Sequence, residues 1–349
     1  MAAVNARFVG LRVSGMERYA REITVRMGAL RLRLVAPRVG LTGLCGQLWE
    51  QTVLPHRMSP NEVLWNPANT GPIAYHPQVV TVHDAAVFDH PEWFRGRVRL
   101  AYRAIVARLI HDADLIATPS EFTRARLIAR FSIDSSRVRV VRAGVSAGWL
   151  WPAVASVDDP IVSQSLARVA VRRFGLAIGG NDPRKNLDRL VAAWEQVRRV
   201  DKGLELVVLG SPSAAVFTGR ALANQRWIHF IRNVSDSQLD GLYRAAEVLV
   251  YPSLYEGCGL PPLEALARGT AVVVSDIPVL RETLGGVACF VNPWDAGSIA
   301  GGVVEVVGRM AQSEPMERAR RDLARFPTWE QAAEQMVEVL EDASGRHWR

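Results

Sequence analysis

Cysteine is scarce in this 349-residue chain. Cys45, Cys258 and Cys289 have no metal-ligand spacing and lack the density of a disulfide framework. Reduced thiols in a cytoplasmic protein are the expectation. No apolar run reaches the roughly 18 residues that a bilayer-spanning helix needs. Asn5, Arg7 and Arg12 interrupt the opening segment, which therefore does not read as a signal peptide. A G-x-G-x-x-G after the first strand is missing, because Phe8-Val-Gly-Leu-Arg-Val-Ser-Gly has another spacing, and this argues against a dinucleotide oxidoreductase. Internal repeats and low-complexity tracts are absent from the sequence too.

What remains is an ordinary globular composition, 49% hydrophobic and 22% charged, with length enough for two cores. Of 42 basic residues only Lys185 and Lys202 are lysines. The charge is lopsided: residues 1–150 hold 20 Arg against 11 acids (+9) and the remainder 22 basic against 24 acidic (−2), which sum to +7. A positive first half suits a solvated face, an anionic membrane face or a phosphorylated acceptor. Nucleic acid is disfavoured, since Arg31-Leu-Arg33 and Arg95-Gly-Arg97-Val-Arg99 are short and lack interleaved aromatics.

Short apolar runs alternate with helical periodicity, which predicts α/β units with parallel sheets. Strands are expected at Val4–Val9, Leu32–Ala36, Glu62–Asn66, Val79–His83, Leu115–Thr118 and Val138–Val141. In the second half they are expected at Leu176–Gly180, Leu206–Leu209, Trp227–Ile231, Val248–Tyr251, Thr270–Ser275 and Ala288–Val291. Asp182 reads as an N-cap and Pro183 as a first helical position, which puts Arg184 and Lys185 in the first turn of a helix. Cations there oppose the helix dipole unless an anion joins them. His111-Asp-Ala-Asp114 contains a D-x-D, but it follows a helix rather than a strand, which argues against a metal site.

The most informative stretch is Tyr251 to Glu282, Y-P-S-L-Y-E-G-C-G-L-P-P-L-E-A-L-A-R-G-T-A-V-V-V-S-D-I-P-V-L-R-E. It reads as strand, glycine-rich loop, helix and strand, with the loop at the edge of a parallel sheet where α/β proteins bind ligands. The helix start and its glycines suit a phosphate. Glu256 and Glu264 would repel a phosphate and suit the diols of a ribose or sugar. Taken singly, Glu256 also reads as a solvated acid, and Glu264 as an acid that only favours its helix dipole.

The combination resembles the E-x7-E signature of the retaining, GT-B-type family 4 glycosyltransferases, through E-G-C-G-L-P-P-L-E-A and S-D-I-P-V-L-R-E. The resemblance extends to N-A-R-F-V-G-L-R-V-S-G-M-E-R-Y-A-R-E, T-V-H-D-A-A-V-F-D-H-P-E-W-F, S-E-F-T-R-A-R and P-R-K-N. It implies an α/β chain of the GT-B class, two Rossmann-like domains facing a central cleft. Residues 1–150 would form the acceptor-side domain, 151–170 a linker and 171–325 the nucleotide-sugar domain. Residues 326–349 would form a terminal helix crossing back to the first domain.

The same resemblance implies catalytic roles for His83, Lys185 and Glu256. It implies donor binding by Gly15, Arg184, Lys185, Asn233, Val234, Glu256, Gly257, Cys258, Gly259, Leu260 and Glu264, and acceptor-side roles for Ser120 and Arg124. The chain departs from the family pattern at Glu17, Gly179-Gly180 and Arg232. The implied reaction is retaining, metal-independent transfer of a hexosyl group, mannosyl among the candidates. The nucleotide-diphosphate sugar serves as co-substrate without a further cofactor, and the acceptor is a glycan or lipid-linked hydroxyl. The implied location is bacterial cytoplasm, with the basic first domain available to the inner face of the plasma membrane. A non-catalytic nucleotide-sugar-binding scaffold and a GT-B-shaped nucleotide-sugar epimerase are the alternatives.

Overall fold

The computed structural model describes residues 2–9, 15–29, 32–41, 43–94, 96–145, 173–180, 182–210, 225–310 and 326–345. The expected linker, 151–170, lies outside them. The chain divides into two compact units, Met1–Gly144 with Pro327–Arg349, and Val145–Phe326.

The first unit holds β1 Ala2–Asn5, α1 Gly15–Arg26, β2 Leu32–Val35, α2 Gly43–Thr52, β3 Val63–Asn66, β4 Gln78–Thr81, α3 Ala86–Asp89, α4 Gly96–Asp112, β5 Leu115–Thr118, α5 Glu121–Phe131 and β6 Val138–Val140. Its six-stranded sheet runs β2-β1-β3-β4-β5-β6, with every pair parallel. β1, β3, β4 and β5 are buried throughout, as strands covered by helices on both faces must be. Tyr19, Ile23 and Met27 supply the buried face of the first helical segment.

The second unit holds β7 Phe174–Ile178, α6 Leu187–Val200, β8 Glu205–Leu209, β9 Ile228–Ile231, α7 Asp236–Ala245, β10 Val248–Tyr251, α8 Leu260–Ala267, β11 Val272–Ser275, α9 Pro278–Leu284, β12 Cys289–Val291 and α10 Ala296–Met310. Its parallel sheet runs β12-β11-β10-β7-β8-β9, the doubly wound Rossmann order. That order reverses between β7 and β10, so the loops following these two strands flank the crevice where such sheets bind ligands. Beneath it, Trp194 on α6 is fully buried and lies over Gly175 of β7, where an added Cβ would stand 2.3 Å from the indole.

The last helix, α11 Trp329–Ser344, belongs to the first unit. Thr328 and Gln331 form a capping box at its start. Trp329 is fully buried, 6.0 Å from the Tyr19 ring and edge-on to it. Gly144 leaves room for this backbone, since a Cβ there would stand 2.2 Å from the Trp329 nitrogen. Among the described residues, no helix is long and apolar enough to cross a membrane.

Two expectations are corrected. The first strand is Ala2–Asn5 rather than Val4–Val9; the chain turns where the Val9 amide donates to the Ala6 carbonyl at 3.0 Å, leaving Val9 exposed. Asp182 and Pro183 do not begin the long helix. They open a separate 3-10 turn, Pro183–Lys185, and Asn186 in the left-handed region (φ 57) ends it before α6. The Asn186 amide fixes that break by donating to the Pro252 carbonyl at 3.0 Å and the Pro293 carbonyl at 2.6 Å. Arg184 and Lys185 therefore lie ahead of α6 rather than in its first turn, and are tied to the loop after β10.

Candidate active site

β7 delivers the chain into Gly179 (φ 133) and Gly180 (φ 54), both in conformations that side chains rarely adopt. At Gly179 space is short as well, since a Cβ would stand 2.2 Å from Cγ of Lys185. Gly179 therefore lets the Lys185 stem cross the strand end. Asp182 caps the following turn by accepting from the Arg184 amide at 3.0 Å, and it pairs with the Arg184 guanidinium at 2.7 Å. The Arg184 carbonyl accepts from the Leu254 amide at 2.7 Å and so ties the β7 loop to the β10 loop.

Lys185 Nζ donates to Glu256 Oε1 at 2.5 Å across 71 residues of sequence, and also to the Tyr251 hydroxyl at 2.5 Å. It lies 4.5 Å from the Tyr251 ring centroid, at the hydroxyl end of the ring. Burial first, then the nearby Glu256 carboxylate, push the Tyr251 phenol well above its ordinary value, so it stays a neutral hydroxyl. Gly257 and Cys258 follow half-buried, and Gly259 (φ 82) turns the chain into α8. Pro261 and Pro262 carry no N–H, which leaves Gly259 and Leu260 as the donors of this helix start.

Glu264, one turn further, is buried and accepts from the Tyr243 hydroxyl at 2.9 Å. Arg268 supports it from below, donating to the Glu264 carbonyl at 2.8 Å and to Asp240 at 2.7 Å, with its guanidinium 5.0 Å from the Tyr243 ring centroid. Lys185 and Glu256 thus meet in the loops beside the α8 start, and Glu264 is buried one turn inside that helix. Such an arrangement can hold an anion and neighbouring hydroxyls together.

Residues 173–309 match the family described as "Glycosyl transferases group 1", and residues 64–148 match the family described as "Glycosyltransferase Family 4". Parts of both units thus match glycosyltransferase family models. O-antigen chain mannosyltransferase B of Escherichia coli is 29% identical over 236 residues, 65% of this chain and 60% of that protein. The chain spans about 60% of the length of the curated relatives it matches. Among solved structures, sucrose-phosphate synthase from Thermosynechococcus elongatus superposes with a TM-score of 0.71 at 16% identity over 98% of both chains. HepE of Anabaena, solved with UDP-glucose, gives a TM-score of 0.71 at 13% identity over 98% of this chain and 99% of its own. These likenesses show the GT-B fold.

The other family positions are distributed as follows. Asn233 (φ 57) and Val234 follow β9, two strands beyond β7 on the same sheet edge. Gly15 opens α1, and a Cβ added there would meet nothing within 4 Å, while residues 10–14 before it lie outside the described residues. His83 follows β4 and is 8% exposed. Its Nε2 faces the Pro67 carbonyl at 2.7 Å, which can only accept, so this nitrogen carries the proton and Nδ1 is the acceptor. Burial is the main influence on its pKa and holds the imidazole below its ordinary value.

Ser120 and Arg124 are engaged within their own unit. Ser120 caps α5 by accepting from the Thr123 amide at 3.1 Å. Arg124 donates to the Val138 and Ser135 carbonyls at 3.0 and 3.1 Å. The D-x-D acids are engaged too: Asp112 pairs with Arg108, and Asp114 accepts from His76 at 2.9 Å and from the Gln78 amide at 2.8 Å.

Sequence reasoning missed a buried polar cluster at the reversal point of the first sheet, between β1 and β3. Glu50 Oε1 accepts from Asn5 at 2.9 Å, Arg7 at 2.9 Å and Thr70 at 3.2 Å, and Asn5 also donates to Asn66 at 3.0 Å. The cluster braces the loop carrying Asn69 (φ 63), whose side chain accepts from the His83 amide at 2.7 Å. Asn5 and Asn66 at strand ends were the available signal. Tyr251 and Tyr243 were missed because both read as core.

Proposed function

We propose that the chain moves a hexosyl group, with mannosyl the first candidate, from a nucleoside-diphosphate sugar to a hydroxyl of a lipid-linked or growing cell-surface glycan. The meeting of Lys185 and Glu256 at the reversal point of the second sheet carries this reading. The mannosyltransferase relative and the UDP-glucose of HepE support the donor class. The E-x7-E spacing supports retention of configuration.

In this scheme the bond from the anomeric carbon to the β-phosphate breaks, and the acceptor oxygen bonds that carbon on the same face. The acceptor proton passes to the departing phosphate oxygen. Lys185 and the amides of Gly259 and Leu260 stabilise the leaving charge, a preorganised field of the kind that dominates many rate enhancements. Arg184, already paired with Asp182, adds to that field without a bare charge. Glu264 takes the ribose hydroxyls, Glu256 the sugar hydroxyls, and the backbone of Asn233 and Val234 the base. His83 contributes a neutral imidazole on the acceptor side. The nucleotide sugar is the co-substrate, with no resident cofactor, and the arginine-rich first unit is the part that would meet an anionic membrane surface.

The test is release of nucleoside diphosphate by the purified chain, given a panel of UDP- and GDP-sugars and a lipid-linked glycan extract. One donor is expected to turn over, and Lys185→Ala and Glu256→Ala to be slower by about 100-fold or more. Unchanged turnover in both variants removes the site assignment. An isomerised nucleotide sugar without free diphosphate indicates epimerisation instead.

A further inference from the structure

Lys185 and Glu256 act on different parts of the ligand in the function proposed above, yet in the structure they hold each other at 2.5 Å. Both side chains are mostly buried, 18% and 12% exposed. The lysine has little freedom to leave. Its stem crosses Gly179 where not even a methyl fits, and its ammonium donates to the Tyr251 hydroxyl at 2.5 Å. Tyr251 is 2% exposed and fixed at the end of β10. Glu256, on a loop and followed by Gly257 and Gly259, is the partner that can be exchanged.

An anion that takes the ammonium therefore displaces the carboxylate. A displaced carboxylate in a mostly buried site, beside a newly bound anion, is costly unless donors replace the lost ammonium. A bare diphosphate has no such donors on the side that faced the sugar. A nucleotide sugar brings them as the sugar hydroxyls, in the same binding event.

We propose that the Lys185–Glu256 pair is a specificity latch. It opens at low cost only for a ligand that joins a diphosphate to sugar hydroxyls, so the chain favours the intact nucleotide sugar over the nucleoside diphosphate it releases. The inference rests on the donor reading above and adds a consequence: weak retention of the product. Masking of Lys185 by Glu256 distinguishes it from simple repulsion of phosphate by a carboxylate.

Isothermal titration with UDP and UDP-glucose, and with GDP and GDP-mannose, separates these cases. For the pair that binds, Lys185→Met is expected to weaken the nucleotide sugar about tenfold or more and the bare diphosphate less than about twofold. Glu256→Gln is expected to tighten the bare diphosphate about tenfold, and in that background Lys185→Met weakens it by a similar factor. Glu256→Asp, which keeps the charge and withdraws it from Lys185, shifts diphosphate binding in the same direction as Glu256→Gln. Equal weakening of both ligands by Lys185→Met in the otherwise wild-type chain overturns the latch, as does unchanged diphosphate affinity in Glu256→Gln. Binding of none of the four nucleotides by the folded wild-type chain removes the donor reading, and the latch with it.

Discussion

Replacing Gly179 by alanine tests whether the β7 loop is shaped for Lys185. At φ 133 an alanine backbone is strained by about 2 kcal/mol. The loss of freedom in the unfolded chain returns about 0.7 kcal/mol. The new Cβ would also stand 2.2 Å from Lys185 Cγ, so the stem must shift and loosen an ammonium held by two partners at 2.5 Å. Losing one charged hydrogen bond costs about 1.5–3 kcal/mol. The expected sum is about 3 kcal/mol, read as a lower urea midpoint for the second unit with an unchanged slope. Gly301→Ala is the control: it lies in α10, exposed, with nothing within 4 Å of an added Cβ, and should stabilise by about 0.5–1 kcal/mol. Equal midpoints for Gly179→Ala and wild type would mean that the loop has no such fit to Lys185.

Three further outcomes are expected. Trp194→Ala removes a fully buried indole packed on Gly175 and should cost about 3–5 kcal/mol in urea unfolding; under 1 kcal/mol would mean the core is not organised around it. Glu50→Ala removes the buried carboxylate that pairs with Arg7 and accepts from Asn5 and should cost about 3 kcal/mol, whereas Glu305→Ala, an exposed helix pair with Arg309, should cost at most about 0.5 kcal/mol. His83 gives a pH dependence. Burial holds its folded pKa below the unfolded value of about 6.5, so the unfolded chain binds the proton more readily. Its contribution is present above about pH 6.5 and is lost as pH falls below that value, so unfolding free energy should drop between about pH 7.5 and 5.5, by less in His83→Gln.

The sequence showed most clearly what depends on continuous burial. Leu115–Thr118 and Val248–Tyr251 are apolar through their length because helices cover both sheet faces, and the observed strands have those bounds. The Asp182-Pro183 signal was misplaced because it starts a 3-10 turn as readily as an α-helix. The difference is decided by the Asn186 amide bonding to Pro252 and Pro293, more than 60 residues away, and no local pattern reports such bonds. α2 escaped notice because Gly43 and Gly46 dilute its periodicity. In the candidate site, Glu256, Glu264 and Lys185 were legible from spacing and charge. Their supports were not, since a buried tyrosine that orients a cation has the same sequence signature as one that only fills space.

A crystal structure of the chain with UDP-glucose or GDP-mannose bound would decide where the donor sits. A phosphate oxygen is expected about 3 Å from Lys185 Nζ, with sugar hydroxyls on Glu256 and ribose hydroxyls on Glu264. A nucleotide sugar bound away from the β7–β10 crevice, with Lys185 and Glu256 still joined, would show that this crevice is not the donor site.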